Sequence, residues 1–292
     1  MRYSTLKERT ALATSTSNTA QPFLKWAGGK RQLLPEIQKY IPSNFQTYYE
    51  PFVGAGAVLF GLQPKNAIIN DINSELINTY QVIKNNVDEL IEELKKHKNE
   101  SDYFYEIRNW DRTDEYAQRT AIQKASRIIY LNKTCFNGLY RVNRKGQFNV
   151  PFGKYKDPKY VNEQVLRSVS DYLNNHNVTI MNKSYAEAVS TAKEGDFVYF
   201  DPPYDPVSTT SDFTSYSLDG FTKEDQIQLR DVFSELDKKG CYVLLSNSAT
   251  DFILDIYKDY KMVTVQATRS INSVASKRGK IDEVLIMNYE TK

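Results

Sequence analysis

Short, unbroken runs of apolar residues recur along the chain, separated by stretches in which apolar residues recur every three or four positions. Because a strand covered on both faces is apolar throughout, the short runs predict buried strands, and the longer spacings predict helices. Strands are predicted over 67–70, 178–181, 197–200, 240–247, 262–267 and 284–288, and a strand, glycine turn and helix over 47–58. Helices are predicted over 31–40, 73–130, 223–238 and 251–260, and a helix with a connector over 161–180. Thr222 and Asp225 predict a capping box at the start of the helix over 223–238.

The apolar run over 197–200 ends in Asp201-Pro202-Pro203-Tyr204, and we expect the rest of the chain to be organised around this stretch. Proline has no N–H group to donate to a neighbouring strand, so two consecutive prolines force the chain out of the sheet at Asp201. In open α/β sheets, ligands bind at the edge formed by the carboxyl ends of the strands. The sequence therefore predicts a carboxylate, the Pro202 carbonyl oxygen and the Tyr204 ring at a ligand-binding edge.

Two hydrogen-bond acceptors beside an aromatic ring suit a planar substrate ring that carries an exocyclic NH₂ group. Such an amine is a poor nucleophile because its lone pair is delocalised into the ring. Hydrogen bonds from its N–H groups to Asp201 and to the Pro202 carbonyl would favour a more electron-rich nitrogen in the transition state. For this motif by itself, a strand followed by an ordinary proline turn is the alternative interpretation.

The Gly28-Gly29-Lys30 sequence resembles part of a phosphate-binding loop. Leu24 and Arg31 stand where that motif requires Gly and Ser or Thr, which argues against an NTPase. A glycine turn that leads into a helix still offers free N–H groups, and the nearby Lys30 ammonium, to a carboxylate or another anion.

A second glycine turn, at Gly54 and Gly56, lacks the third glycine of a dinucleotide fingerprint because Leu59 occupies its position. The two glycines still let the backbone approach a ligand closely. Asp71 ends the next predicted strand, seventeen residues after Gly54, where an acid is well placed to accept a ribose hydroxyl. A nucleoside-type cofactor without a pyrophosphate fits both observations, and S-adenosylmethionine is such a cofactor.

The composition is that of an ordinary globular protein, with 292 residues, 40% of them hydrophobic and 25% charged. This length allows one large or two smaller domains. No apolar run approaches the roughly 18 residues of a membrane span and no signal-peptide core is present, so we expect a cytoplasmic protein without membrane association. Two cysteines and two histidines lie far apart in sequence, and we expect no metal site.

Positive charge is concentrated between positions 123 and 160, which hold nine lysines and arginines and one acid. The segment has a net charge of +8, leaving −6 for the rest of the chain. Aromatic residues interleave with these charges, a pattern typical of a nucleic-acid surface. A solvated charged face is the alternative.

Within this segment, the Asn-Arg-Lys-Gly sequence between short alternating runs predicts a β-hairpin with Gly146 in its turn. A basic hairpin can enter the major groove, where arginine reads guanine with two hydrogen bonds.

The stretch 268–280 contains four basic residues and no acid, and we expect a second phosphate-contacting loop there. The polar stretch 206–220 follows the proposed site directly, and we expect a lid.

From about residue 21 to 290, the chain resembles adenine-N6 DNA methyltransferases of the Dam type with the α motif order, and is most similar to the DpnM-like members that modify GATC. The motifs occur in that family's order, which makes the resemblance specific. They are Phe-Leu-Lys-Trp-Ala-Gly-Gly-Lys at 23–30, Glu-Pro-Phe-Val-Gly-Ala-Gly at 50–56, Asn-Asp-Ile-Asn at 70–73, Asn-Gly-Leu-Tyr-Arg-Val-Asn at 137–143, Phe-Asn-Val-Pro-Phe-Gly at 148–153, Asp-Pro-Pro-Tyr at 201–204, Phe-Thr-Ser-Tyr at 213–216 and Arg-Gly-Lys at 278–280.

The resemblance implies a role for individual residues. The residues implied to bind S-adenosylmethionine are Trp26, Lys30, Glu50, Phe52, Gly54, Gly56, Asp71 and Asp201. Those implied to hold the target adenine are Asp201, Pro202 and Tyr204. Arg141 would read a guanine and Pro151 would touch a thymine methyl group, and the other implied DNA-binding residues are Lys25, Asn137, Leu139, Asn143, Lys154, Arg278 and Lys280. Lys154 stands where the family often has arginine, and the role of Ser184 stays open.

We therefore expect an α/β fold with a Rossmann-like methyltransferase core, in which a mostly parallel sheet has an antiparallel edge. The predicted division is a flexible leader over 1–20, a catalytic domain over 21–75 and 162–292, and an inserted, mainly helical target-recognition domain over 76–161 that carries the hairpin. The implied reaction is base flipping followed by methylation of adenine N6 in double-stranded DNA. The sequence leaves open a cytosine N4 or RNA substrate, a non-catalytic DNA-binding protein, and the presence of a cognate restriction endonuclease.

Overall fold

The computed structural model describes residues 19–26, 30–207, 220–268 and 280–291, without the side chains of 267, 268, 280 and 281. Seven strands of the described chain form one sheet, in the order β3-β2-β1-β4-β5-β7-β6. In chain order, the strands are β1 (Tyr48–Glu50), β2 (Asn66–Asn70), β3 (Asn177–Met181), β4 (Phe197–Phe200), β5 (Tyr242–Ser248), β6 (Lys261–Thr268) and β7 (Lys280–Met287).

Strands β1 to β5 pair in parallel, whereas β7 runs antiparallel to both β5 and β6. The predicted mixed sheet with an antiparallel edge is thus confirmed. The chain winds outward from β1 through β2 to β3 on one side, and from β4 to β5 on the other. The order of the strands therefore reverses between β1 and β4, and a ligand crevice is expected beyond the carboxyl ends of these two strands.

Strand β4 is buried along its whole length, as its unbroken apolar run predicts. Phe197 and Tyr199 belong to the core on one face of the sheet. Val198 and Phe200 belong to the core on the other face. Because successive side chains of a strand point to opposite faces, both faces of the sheet are covered.

Ten α-helices are present in the described residues: α1 (Leu34–Gln38), α2 (Ala57–Leu62), α3 (Ser74–Asn85), α4 (Val87–Lys95), α5 (Ser101–Asn109), α6 (Ala121–Thr134), α7 (Glu163–Asn175), α8 (Tyr185–Ala188), α9 (Lys223–Lys238) and α10 (Asp251–Ile256). Short 3₁₀ helices span Trp110–Arg112, Asp114–Gln118 and Phe136–Gly138. The capping box predicted at Thr222 and Asp225 is confirmed at the start of α9.

Several details of the helices differ from the prediction. The helix predicted over 251–260 ends at Ile256. The helix predicted over 31–40 is shorter, because residues 31–33 form a turn and Pro35 lies in the first turn of α1, where its missing N–H costs nothing. Helix α8 was not predicted. It is only four residues long, and Ser184 caps it by accepting a hydrogen bond from the Glu187 N–H group.

Helix α6 packs against α3, α4 and α5. The apolar residues with the predicted helical spacing, including Leu76, Ile83, Leu90 and Leu94, are completely buried in this part of the core. The division of the chain at residues 75 and 161 into two domains stays a prediction. No helix in the described residues is long and apolar enough to cross a lipid bilayer.

Candidate active site

Three carboxylates follow the carboxyl ends of neighbouring parallel strands. Glu50 is the last residue of β1, Asp71 comes directly after β2, and Asp201 comes directly after β4. Because β1 lies between β2 and β4 and all three run in the same direction, the three acids share one edge of the sheet. This is the edge at which the sequence predicts a ligand site, and it includes the reversal of strand order between β1 and β4.

Asp201 forms a buried ion pair with Lys30. The Lys30 Nζ lies 2.8 Å from Asp201 Oδ1, and the two side chains are only 6% and 19% exposed. The Ser246 hydroxyl also donates to Asp201 Oδ1 at 3.0 Å. Burial raises the pKa of Asp201 above its ordinary value, although the Lys30 ammonium acts in the opposite direction. The carboxylate is thus held in one orientation by two donors.

Tyr204 is fixed by contacts to both its ring and its hydroxyl group. The Lys30 Nζ lies 4.5 Å from the centre of the ring, within the range of a cation–π interaction. The Tyr204 hydroxyl donates a hydrogen bond of 2.8 Å to Glu283 Oε2 on β7. Sequence reasoning assigned a role only to the ring and did not identify Glu283, which is remote in sequence.

Glu50 is buried beside the ion pair. The Tyr48 hydroxyl donates to Glu50 Oε2 at 2.8 Å. Burial, together with the negative charge of Asp201, raises the pKa of Glu50 to about 8. Glu50 is therefore mostly protonated at neutral pH in the protein alone.

Asp71 connects the end of β2 to the glycine turn after β1. Its two oxygens accept hydrogen bonds from the backbone N–H groups of Gly54, at 3.1 Å, and Asn73, at 2.9 Å. Burial raises the pKa of Asp71 to about 6, while these two hydrogen bonds act in the opposite direction. Since each carboxylate oxygen has two lone pairs, each retains acceptor capacity for a ligand.

Gly54 is required by the close approach of the Trp26 ring. Gly54 has a φ of +50°, and a Cβ atom at this position would lie 2.9 Å from Trp26 Cδ1. Trp26 in turn stacks on Tyr140, with ring centres 4.9 Å apart. Gly56 also has a positive φ, of +74°. Within the protein, the side chain that approaches Gly54 closely is thus an aromatic ring, and the close approach of a ligand to this turn stays a prediction.

Apolar side chains complete this edge of the sheet. Phe52 stacks on Tyr185, with ring centres 5.4 Å apart. Ile72, next to Asp71, is 70% exposed, which is unusual for so large an apolar side chain. Sequence reasoning missed Ile72, although an apolar residue directly after an acid at a strand end was a usable signal.

The predicted hairpin exists, but without regular strands. Isolated antiparallel bridges join Val142 to Phe148 and Cys135 to Phe152. The turn is closed by a hydrogen bond of 2.8 Å from the Asn143 N–H group to the Gln147 carbonyl. Gly146 occupies the turn with a φ of +75°, as predicted.

The residues implied to bind DNA lie around this hairpin. Arg141 is exposed, and its Nε donates to Asn149 Oδ1 at 2.7 Å. Leu139 and Asn143 are half-buried. The other exposed residues of this implied set are Lys25, Asn137, Pro151 and Lys154.

The basic segment is less exposed than its sequence indicates. Arg127 is 2% exposed and forms an ion pair of 2.7 Å with Asp111. Burial lowers the pKa of Lys133 to about 8. Tyr130 and Phe148 belong to the core. Assigning all charges and rings of this segment to a nucleic-acid surface was therefore wrong, because α6 turns one side toward the protein interior.

Several sequence predictions fall outside the described residues. These are most of the leader, Gly28 and Gly29, the lid expected over 206–220 beyond residue 207, the 213–216 motif, Arg278, the side chain of Lys280 and most of the second basic loop.

The fold and the edge with three acids define a Rossmann-like methyltransferase core. The sequence profile of the D12 class N6 adenine-specific DNA methyltransferases matches residues 26–271, and the chain belongs to this family.

The names of similar proteins agree with this family. The Type II methyltransferase M1.LlaDCHI of Lactococcus lactis subsp. cremoris is 49% identical over 271 residues, covering 92% of this chain and 95% of that protein. The Type II methyltransferase M.MjaIII of Methanocaldococcus jannaschii is 44% identical over 289 residues, covering 92% and 99%. The DNA adenine methylase of Escherichia coli strain K12 is 36% identical over 270 residues, covering 91% and 94%.

The protein is thus an adenine-specific DNA methyltransferase that acts on double-stranded DNA. Membership in this family decides against the non-catalytic alternative and against cytosine N4 or RNA as the substrate.

Proposed function

We propose that the protein transfers a methyl group from S-adenosylmethionine to the N6 atom of adenine in GATC, after the adenine has been flipped out of the duplex. The observation that carries this proposal is the arrangement at the end of β4. There, the Asp201 carboxylate, the Pro202 carbonyl and the Tyr204 ring follow one another directly, at the reversal of strand order.

The acceptors at this position suit an amine. Among the described residues, no donor reaches the Pro202 carbonyl oxygen. Asp201 presents a carboxylate that two donors already orient. An adenine amino group placed between these acceptors would donate one N–H to each, which favours the electron-rich nitrogen of the transition state.

The charges of the site suit a cationic cofactor. Three buried or half-buried acids, Glu50, Asp71 and Asp201, lie at this edge of the sheet, and Asp201 is paired with the buried Lys30. A bound cation would offset the desolvation of these carboxylates. When bound, S-adenosylmethionine supplies the sulfonium methyl group, which is both electrophilic and cationic.

Other residues suit the nucleoside part of the same cofactor. We assign the remaining acceptor capacity of Asp71 to a ribose hydroxyl, and the exposed Ile72 side chain to an adjacent apolar surface. The Gly54 turn, Trp26 and Phe52 would enclose this part of the site.

The position of the acceptors supports base flipping. In a duplex, the adenine N6 atom lies within the base stack, so the base must leave the helix to reach Asp201. The Lys30 ammonium covers one face of the Tyr204 ring. The flipped adenine would therefore use the opposite face or displace the ammonium.

For sequence recognition, we propose the hairpin within an inserted recognition domain over 76–161. Arg141 would contact a guanine and Pro151 a thymine methyl group, which is supported by the exposure of both side chains. Two similar proteins carry Type II names. We therefore extend the proposal to a cognate restriction endonuclease that acts on the same site.

The test uses labelled S-adenosylmethionine and two duplexes that differ only in one GATC site. The expected result is label in N6-methyladenine of the GATC duplex alone, and a rise in fluorescence when 2-aminopurine replaces the target adenine. Asp201→Ala should abolish transfer and retain DNA binding. Equal methylation of both duplexes would contradict the GATC assignment, and an active Asp201→Ala variant would contradict the proposed site.

A further inference from the structure

Strand β5 continues beyond the point at which β4 stops. The last pair between them joins Phe200 to Leu245, whereas β5 runs on to Ser248. The three extra residues, Ser246, Asn247 and Ser248, are polar and at most 2% exposed. Such a buried polar run requires hydrogen-bond partners.

Ser246 bonds to Asp201, before the two prolines, whereas Asn247 and Ser248 have partners in the segment after them. Asn247 Oδ1 accepts a hydrogen bond of 3.1 Å from the Asp205 N–H group. The Ser248 hydroxyl donates to the Asp205 carbonyl. The Thr250 hydroxyl donates to Asp205 Oδ2 at 2.6 Å. Hydrogen bonds from side chains therefore replace the backbone hydrogen bonds between strands that the two prolines interrupt.

A second amide extends this network to the other side of Tyr204. Gln226, in the first turn of α9, is completely buried. Its Nε2 donates to the Pro203 carbonyl at 2.9 Å. Its Oε1 accepts from Asn247 Nδ2 at 3.0 Å. The two amides thus bind the backbone on both sides of Tyr204.

We propose that Gln226 and Asn247 are positioning residues for methyl transfer, which rests on the proposed role of the Pro202 carbonyl as an acceptor of the target amine. The Pro203 ring fixes its own φ, so the ψ of Pro203 is the one soft dihedral between the Pro202 and Pro203 carbonyls. Holding the Pro203 carbonyl with Gln226 therefore also orients the Pro202 carbonyl.

The arrangement also fixes the Tyr204 ring. The backbone of Tyr204 is held by hydrogen bonds to its two neighbours, Pro203 and Asp205. The Tyr204 hydroxyl is bonded to Glu283. Neither amide touches the site where the base is proposed to lie. Both act through the backbone, so their loss should change the rate of transfer more than substrate binding.

The test compares Gln226→Met with a matched control, Asn288→Leu. Asn288 also joins α9 to β5, because its Nδ2 donates to Asp237 Oδ1 at 2.7 Å and its Oδ1 accepts from the Val243 N–H group at 2.8 Å. These contacts lie at the opposite end of β5 from the proposed site. The measurements are the kcat and KM for methylation of a GATC duplex, and Tm.

We expect Gln226→Met to lower kcat by about 10- to 100-fold, with the KM values for DNA and cofactor within about twofold of wild type. Asn288→Leu should lower Tm and leave kcat unchanged. If Gln226→Met fails to fold, Gln226→Ala provides the test, because it also removes the donor to the Pro203 carbonyl and introduces no ionisable group.

A folded Gln226 variant with wild-type kcat would overturn the inference, as would an equal loss of kcat in Asn288→Leu. Wild-type protein without adenine methylation from S-adenosylmethionine would instead overturn the proposed function. The two failures are therefore distinguishable.

Discussion

Replacing Glu50 by glutamine should stabilise the protein in a manner that depends on pH. The ordinary pKa of this carboxyl is 4.5, and burial raises it to about 8 in the folded protein. The folded state consequently binds more protons than the unfolded state between these values. The free energy of unfolding therefore decreases as the pH rises through this window.

The magnitude follows from the two pKa values. At pH 7, the ionisation of Glu50 alone lowers the free energy of unfolding by about 3 kcal/mol relative to pH below 4.5, and above pH 8 this contribution approaches about 5 kcal/mol. Glutamine resembles the protonated carboxyl and can still accept the hydrogen bond from Tyr48. Glu50→Gln should therefore match wild type near pH 4.5 and exceed its stability by these amounts at higher pH.

The assay is chemical denaturation at pH 5, 7 and 9, with the exposed Glu106→Gln as a control that should follow wild type. A Glu50→Gln variant whose stability falls with pH as steeply as that of wild type would refute the reasoning.

The same variant should bind S-adenosylmethionine more weakly, because a neutral amide does not offset the cationic charge of the cofactor. Calorimetry at pH 8 measures this loss.

Three further predictions concern the proposed DNA-binding surface and the proposed substrate site. Arg141→Ala should reduce discrimination at one guanine by about 1–3 kcal/mol, and unchanged rates on duplexes substituted at that base pair would argue against the hairpin as the reader. Tyr204→Ala should lower kcat more than Tyr204→Phe, because the latter loses the hydroxyl group, with its hydrogen bond to Glu283, and keeps the ring; the reverse order would contradict stacking. Arg127→Leu should destabilise the fold by about 3–5 kcal/mol without changing the salt dependence of DNA binding, whereas Lys154→Ala should reduce the salt slope by about 1; equal salt effects would refute the distinction.

Local patterns predicted the parts of the structure that depend on neighbouring residues. The apolar run of β4 identified a buried strand, and the two prolines after Asp201 identified where it stops. The Thr222 capping box marked the start of α9 in the same way. In each case, the physical cause lies within a few residues of its effect.

Contacts between distant segments could not be predicted in this way. The ion pair between Lys30 and Asp201 joins residues more than half of the chain apart, and burial of Arg127 depends on its partner Asp111. The polar end of β5 was visible as Ser-Asn-Ser, but nothing local indicated which backbone groups those side chains would bind. Charge along a sequence likewise does not distinguish a solvent-facing arginine from a buried one.

The hydrogen bonds of Gln226 and Asn247 to the backbone around Tyr204 have a consequence for amide hydrogen exchange. Asp205 lies outside any regular strand, yet its N–H group is bonded to a completely buried side chain. Its deuterium uptake should accordingly be as slow as that of the β5 amides, unlike that of an ordinary surface connection. The segment would then already be ordered before a nucleotide binds. Binding would therefore not carry the conformational-entropy cost of ordering it.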